Sequence, residues 1–201
     1  MLILLTGQAR VGKDTFAGML SRELQNKTGQ SYVLMSYAHE LKLRVQKDFD
    51  LSYAQLWQGE KEIEDRRYRK HTDKDEEVYW TSREIMQNYG EFFRTINYNF
   101  WVDHLFNVIE EKEYKNVIIT DGRHLNEVDA VVDRGGYCIR IERDVKDFIH
   151  NDQHISERAL NDVYRVDFTV NNHWTLKELE QAAKDVVRFL VDSNLESFSK
   201  S

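Results

Sequence analysis

Gly7-Gln8-Ala9-Arg10-Val11-Gly12-Lys13-Asp14-Thr15 sets two glycines with four residues between them and a lysine directly after the second. This is the spacing of a phosphate-binding loop, and its flanks suit that reading. Leu2-Ile3-Leu4-Leu5-Thr6 runs into it as a short apolar stretch, the pattern of a buried strand. Beyond Lys13, Phe16, Met19, Leu20 and Leu24 recur on one face of a helix. In such a strand–loop–helix unit the glycines let backbone N–H groups turn toward phosphate oxygens. The helix N-terminus adds its dipole, and Lys13 brings a point charge to the β- and γ-phosphates. Gly7, Arg10, Val11, Gly12, Lys13, Asp14 and Thr15 are therefore expected to contact a nucleotide.

The residue after the lysine is usually Ser or Thr, which holds Mg²⁺; here it is Asp14. A carboxylate is a competent hard-oxygen ligand for Mg²⁺, and the alternative is that Asp14 only caps the helix. Thr15 stays available for the α-phosphate. A second element, Val117-Ile118-Ile119-Thr120-Asp121-Gly122-Arg123, is an apolar strand ending in aspartate, as a Walker B segment does. Asp121 is then a Mg²⁺ organiser or a base. A phosphate acceptor is already ionised near neutral pH, which favours the electrostatic role. Arg123 is expected to point back into the cleft.

Working outward, further strands are expected at Tyr32-Val33-Leu34-Met35-Ser36, Asn116-Val117-Ile118-Ile119-Thr120, Tyr137–Glu142 and Asp167-Phe168-Thr169-Val170. Leu125, Val128, Val131 and Val132 mark a helix, and Leu176, Leu179, Ala183, Val186, Val187 and Leu190 mark the last one. Strands alternating with helices predict an α/β fold: a three-layer α/β/α P-loop NTPase core with a five-stranded parallel sheet. All 201 residues are read as a single P-loop domain. Its core covers about 1–36 and 112–192, a polar, mostly helical insertion about 37–111, and a short lid about 143–165. Within the insertion, the charge-rich residues 60–77 read as a solvated helix pair or mobile loop, and the tail from Ser193 is expected to fray. The chain has no proline, so helix starts are read from caps such as Ser82 and Thr175.

A balance of 41% hydrophobic and 31% charged residues fits a globular chain, and a formal charge of −7 argues against coating nucleic acid. Cys138 is the single cysteine, which excludes an intrachain disulfide, and it sits in an apolar run as a core residue would. No run approaches membrane-spanning length, so a cytoplasmic protein is expected. The histidines show no zinc-ligand spacing.

In Thr81-Ser82-Arg83-Glu84-Ile85-Met86-Gln87-Asn88-Tyr89-Gly90, Arg83 and Gln87 are four residues apart and share a helical face. An arginine grips phosphate in bidentate fashion and a glutamine amide reads a base edge; the plainer alternative is a solvated helix. Arg94, Lys42 and Lys61 are further basic candidates in the insertion. Arg143, His154 and Arg158 lie in or beside the segment expected to close over the transferring phosphate.

Taken together, these motifs resemble the deoxynucleoside monophosphate kinases of tailed bacteriophages, within the wider nucleoside-monophosphate-kinase group of P-loop proteins. Gly12-Lys13-Asp14-Thr15 looks like that family's variant of the loop, which accounts for the aspartate. Ser36-Tyr37-Ala38-His39-Glu40-Leu41-Lys42 is similar to its segment after the second strand. Arg83 through Gly90, Arg94 and Trp101-Val102 resemble its acceptor-binding helices. Thr120-Asp121-Gly122-Arg123 through Asn126-Glu127, and His154-Ile155-Ser156-Glu157, follow in the same order. Asn171-Asn172 with Trp174 resembles the loop that cradles adenine. The resemblance implies that Gly12, Lys13, Asp14 and Thr15 hold ATP phosphates and Mg²⁺, with Asn171 near adenine. It implies that Lys42, Arg83 and Arg123 hold the acceptor phosphate, that Gln87 lies near its base, and that Arg143 is the lid cation. It further implies small nucleotide substrates rather than nucleic acid or membrane, and a host-cytoplasmic location if phage-encoded; a homodimer stays open. The family often has proline at the positions of Ser82 and Glu40, where this chain has none.

Three rival readings would leave different marks on the sequence. A P-loop kinase for another small acceptor (phosphomevalonate, gluconate, shikimate or dephospho-coenzyme A) would share the loop but need no Arg83–Gln87 pair. A guanine-nucleotide switch would carry an asparagine–lysine–x–aspartate segment, absent from this sequence. A nucleic-acid-dependent ATPase would carry a basic stripe.

Overall fold

The computed structural model describes residues 1–9, 11–73, 76–143, 165–172 and 175–198, with 193–198 described by backbone alone. The chain divides into two units, one of residues 1–36 and 105–201, the other of residues 37–104.

In the first unit, β1 (Leu2–Thr6), β2 (Val33–Met35), β5 (Val117–Gly122), β6 (Tyr137–Glu142) and β7 (Phe168–Asn171) form one sheet in the order β2-β5-β1-β6-β7. Every neighbouring pair is parallel. The strands form where the sequence is continuously apolar: Ile3, Leu4, Leu5, Ile118, Ile119, Cys138, Ile139 and Ile141 are fully buried, as a sheet covered on both faces requires. α1 (Lys13–Thr28) buries Phe16, Ala17, Leu20 and Leu24. The last helix, α7 (Leu176–Phe198), joins them in the same core through Leu179, Ala183, Val186, Val187 and Leu190. α6 (Leu125–Val132) buries Val128 and Val131 on the other face. The architecture is three-layer α/β/α with a five-stranded parallel sheet. α7 runs on to Phe198, past the point where fraying is expected from sequence. Residues 193–198 contain neither glycine nor proline to stop it.

The central position of β1 brings several strand ends together. Thr6 pairs with Gly122 on one side and with Arg140 on the other. Leu4 pairs with Ile119, so β5 carries one residue more than β1 between those two rungs. The irregularity falls at Thr120 and Asp121, and a bulge re-aims the side chains beside it.

The second unit holds α2 (Tyr37–Phe49), α3 (Tyr53–Trp57), a 3₁₀ turn at Gly59–Glu62, β3 (Glu64–Arg69), β4 (Tyr79–Thr81), α4 (Ser82–Ile96) and the start of α5 (Phe100–Glu111). Its core is Val45, Leu51, Leu56, Ile85 and Met86, with Phe49, Trp57, Tyr68 and Trp80 packed against them. The expectation of a helix pair or mobile loop over 60–77 is corrected here: β3 and β4 pair antiparallel. Five of the six residues of β3 are charged, so apolar alternation is absent from it. The strand is held by polar bonds instead. Asp65 accepts from Arg67 Nη2 at 2.6 Å and from Gln55 Nε2 at 2.9 Å. The Tyr68 hydroxyl donates to the Phe49 carbonyl at 2.5 Å. Ser82 is likewise not the cap of α4. Thr81 is, with Glu84 completing a capping box, while Ser82 is fully buried and donates to the Gln55 carbonyl at 2.7 Å. Thr175 does cap α7, accepting from Glu178 N at 3.2 Å. Among the described residues, no helix is long and apolar enough to cross a membrane.

Candidate functional site

The glycine loop leaves β1 under tight backbone constraint. Gly7 has φ +142°, and a Cβ there would lie 2.2 Å from the Ile141 carbonyl oxygen, so no side chain fits. Gly12, at φ +93°, is the N-cap of α1 and makes no side-chain cap bond. Between them Val11 is buried at 2% exposure, and its carbonyl accepts from Asn172 Nδ2 at 2.9 Å. The ladder of α1 starts with Phe16 N donating to the Gly12 carbonyl. The first-turn N–H groups of Lys13, Asp14 and Thr15 precede that bond and lie at a helix N-terminus, the place that favours an anion.

Lys13 Nζ donates to the carbonyls of Gly7 and Gln8, both at 2.7 Å. The ammonium is thus held over the loop by oxygens that a phosphate can displace. Asp14 is exposed in the first turn of α1. The N-cap is Gly12, so the alternative in which Asp14 caps the helix is not realised. Thr15 is exposed beside it.

Across the sheet edge, Asp121 stands at the bulged end of β5 and is partly exposed. Gly122 follows with its Cα against Leu4, where a Cβ would come within 2.8 Å of the leucine side chain. The Arg123 backbone N–H donates to Glu127 Oε2 at 2.6 Å, and Glu127 is only 2% exposed. Arg140 lies opposite Thr6 on β6, and Arg143, partly buried, stands directly past the end of that strand. At β7, Asn171 is exposed and pairs with Glu142. Asn172 is buried, its backbone N–H donating to the Glu142 carbonyl at 2.8 Å. The topology therefore brings Gly7, Gly12, Lys13, Asp121, Arg123, Arg143 and Asn171 to the C-terminal edge of one parallel sheet, where such sheets bind ligands.

Two residues named in the resemblance make backbone contacts that the sequence did not assign. Asn172, which the resemblance sets with Asn171 in the adenine loop, bonds the Val11 carbonyl of the glycine loop. Glu127 holds the backbone at Arg123; its spacing from His124, the N-cap of α6, is the available signal. Arg10, His154, Glu157, Arg158, Trp174 and the lid residues 144–164 lie outside the described residues.

In the second unit, Arg83, Gln87 and Arg94 follow one side of α4, and all three are partly buried. Arg83 Nε donates to Glu62 Oε1, so an incoming phosphate would exchange with that carboxylate. Lys42 on α2 has its ammonium 5.8 Å from the centroid of the Trp57 ring. Lys61 lies in the 3₁₀ turn. Among the described residues, no group of three or more histidine, cysteine or acidic side chains could hold a metal. Any metal at the sheet edge would have few protein ligands. That suits Mg²⁺, which keeps waters and takes substrate phosphates, and the donors present are hard carboxylate oxygens.

Burial pushes the Cys138 thiol up to about 12, with the Asp167 carboxylate adding to the shift. That removes it from chemistry and leaves it a core residue.

Comparison with known proteins yields three findings. The sequence model of a family described as deoxynucleotide monophosphate kinase matches residues 22–183. A protein of Acanthamoeba polyphaga mimivirus, provisionally named a deoxynucleotide monophosphate kinase, is 28% identical over 185 residues, 89% of this chain and 91% of that one. A solved structure of dephospho-CoA kinase from Campylobacter jejuni superposes with a TM-score of 0.49 at 14% identity, covering 96% of this chain and 98% of the other. The family match begins past Thr15, so the loop geometry and the match are separate observations.

Proposed function

The chain belongs to the deoxynucleotide monophosphate kinase family, and we propose that it transfers the γ-phosphate of ATP to a deoxynucleoside monophosphate, giving the diphosphate and ADP. That it is a nucleotide kinase follows from the family; the acceptor, the direction and the residue roles are the proposal. One observation carries it: a glycine loop opens α1 with Lys13 folded over it, while Asp121 ends the parallel strand next to β1.

In this reading the loop N–H groups and the N-terminus of α1 bind the ATP phosphates, and Lys13 leaves the Gly7 and Gln8 carbonyls to meet the β- and γ-phosphates. Asp14 and Asp121 would hold Mg²⁺, which supplies charge neutralisation at the phosphates. Arg123 faces the acceptor phosphate, and Arg143 adds positive charge where the transferring group develops negative charge. Arg83, with Lys42 and Arg94, holds the acceptor, and Gln87 reads its base. The acceptor oxygen is already ionised at neutral pH, so no strong base is needed, and the transfer is in line. The reading places the protein among small-molecule nucleotides in the cytoplasm.

The test is ADP release from ATP and Mg²⁺ with the four deoxynucleoside monophosphates, AMP, GMP, CMP, UMP and dephospho-coenzyme A. Turnover confined to nucleoside monophosphates supports the proposal; turnover with dephospho-coenzyme A alone, or with none of them, overturns it.

A further inference from the structure

Segment 121–124 carries two side chains assigned to the chemistry, Asp121 and Arg123, and it is pinned at two points. At Gly122 the Cα lies against Leu4 with no room for a Cβ. Directly after it, one oxygen of Glu127, Oε2, accepts two backbone bonds, from Arg123 N at 2.6 Å and from His124 N at 3.0 Å. Glu127 is 2% exposed. Burying a carboxylate is costly unless hydrogen bonds and a favourable field offset it. Both are present here, because the two donors open α6 and the helix dipole favours negative charge at that end.

We infer that Glu127 is a positioning residue, which fixes the backbone at Arg123 so that its guanidinium faces the acceptor phosphate. The inference rests on the proposed function. Two features lift it above an ordinary helix cap. The bond to Arg123 N reaches one residue beyond the N-cap, onto the residue that carries the cation. The chain's own carboxylate also occupies the N–H groups of Arg123 and His124, directly before α6. An acceptor phosphate therefore cannot use those two donors, and at residue 123 only the side chain is left to meet it, so its placement matters more.

The experiment combines steady-state kinetics with thermal melting for Glu127→Ala, Glu127→Gln, Arg123→Ala and the Arg123→Ala/Glu127→Ala double variant. The acceptor is the deoxynucleoside monophosphate that the wild type uses best. Glu127→Ala is expected to raise acceptor KM and lower kcat, with kcat/KM for acceptor falling roughly ten- to a hundredfold while ATP KM stays within about twofold. Glu127→Gln, whose carbonyl oxygen can accept both N–H bonds, is expected to recover most of the loss. The double variant is expected to be no worse than Arg123→Ala alone, as for two groups acting as one. If Glu127→Ala fails to fold, Glu127→Asp, which keeps the charge but draws the oxygen back, should show the same split more weakly. Unchanged KM values in the folded variant, or additive losses in the double variant, would mean that Glu127 serves α6 alone and would overturn the inference. A wild type that phosphorylates no nucleoside monophosphate is a different failure, that of the proposed function.

Discussion

Asn172 donates from Nδ2 to the carbonyl oxygen of Val11 at 2.9 Å, tying the segment after β7 to the summit of the glycine loop. Its own backbone N–H is held by Glu142 at 2.8 Å, so the loop is braced from β6 and β7 as well as from β1, which carries it.

Asn172→Ala removes the brace and leaves the Val11 carbonyl buried without its donor. A loss of about 1–2 kcal/mol is expected for a bond of this kind. ATP KM should rise by roughly fivefold to thirtyfold with acceptor KM little changed, read by separate titrations. Equal rises in both would show that the brace is not specific to the ATP loop.

Lys13→Ala should reduce turnover by several powers of ten. Its ammonium bonds two loop carbonyls and lies outside the hydrophobic core, so the melting temperature should stay close to that of the wild type. Activity near wild type in the alanine variant contradicts the proposed mechanism.

Glycine substitutions should separate by position. Gly122→Ala forces a methyl against Leu4 at 2.8 Å, and overpacking of this sort costs about 1–3 kcal/mol. Gly7→Ala meets a backbone carbonyl at 2.2 Å and should abolish ATP binding even where the protein still folds. Gly18, inside α1, has nothing within 4 Å of its added Cβ, and Gly18→Ala should stabilise by about 0.5–1 kcal/mol. Denaturant midpoints of the three variants test the order.

Acid should find Asp65. The Arg67 side chain, first of all, holds this carboxyl well below the usual carboxylate range, and Gln55 adds to the effect against the opposing influence of burial. A carboxyl depressed on folding contributes stability that is fully present above its unfolded value, about 4, and is lost as pH falls below it. Asp65→Asn should be less stable than wild type at pH 7, with the gap narrowing below about pH 4. A gap that stays constant down to pH 2 would remove the ion pair from the account.

Gln87→Ala should raise acceptor KM more than ATP KM, since its position on α4 beside Arg83 is assigned to the acceptor base. Equal effects on the two substrates refute base reading.

The sheet and the loop were legible from sequence because burial on both faces forces continuous apolar runs, and Leu2 to Thr6 and Val117 to Thr120 are such runs. β3 was not legible because Asp65, Arg67 and Gln55 hold it where apolar alternation would ordinarily be expected. Thr81 and Ser82 both have the chemistry of a cap, and only the register of α4 separates them. The backbone roles of Asn172 and Glu127 were missed for a shared reason. Each acts on main-chain atoms, Val11 O in one case and the N–H groups of 123 and 124 in the other, and backbone partners leave no complementary side chain to find. The extra residue in β5 at Asp121 belongs to pairing with β1, over a hundred positions away, and has no local signature.

The place of β1 in the sheet also dictates the order in which a nascent polypeptide can become competent. Its two neighbours are supplied by residues 117–122 and 137–142, so β1 must wait, unpaired, until the residues between it and those strands have been made. Contacts so distant in sequence are slow to close, and an apolar segment left waiting is open to wrong partners. In the proposed function, nucleotide capture consequently follows the docking of both partner strands on β1, however soon the glycines themselves are made.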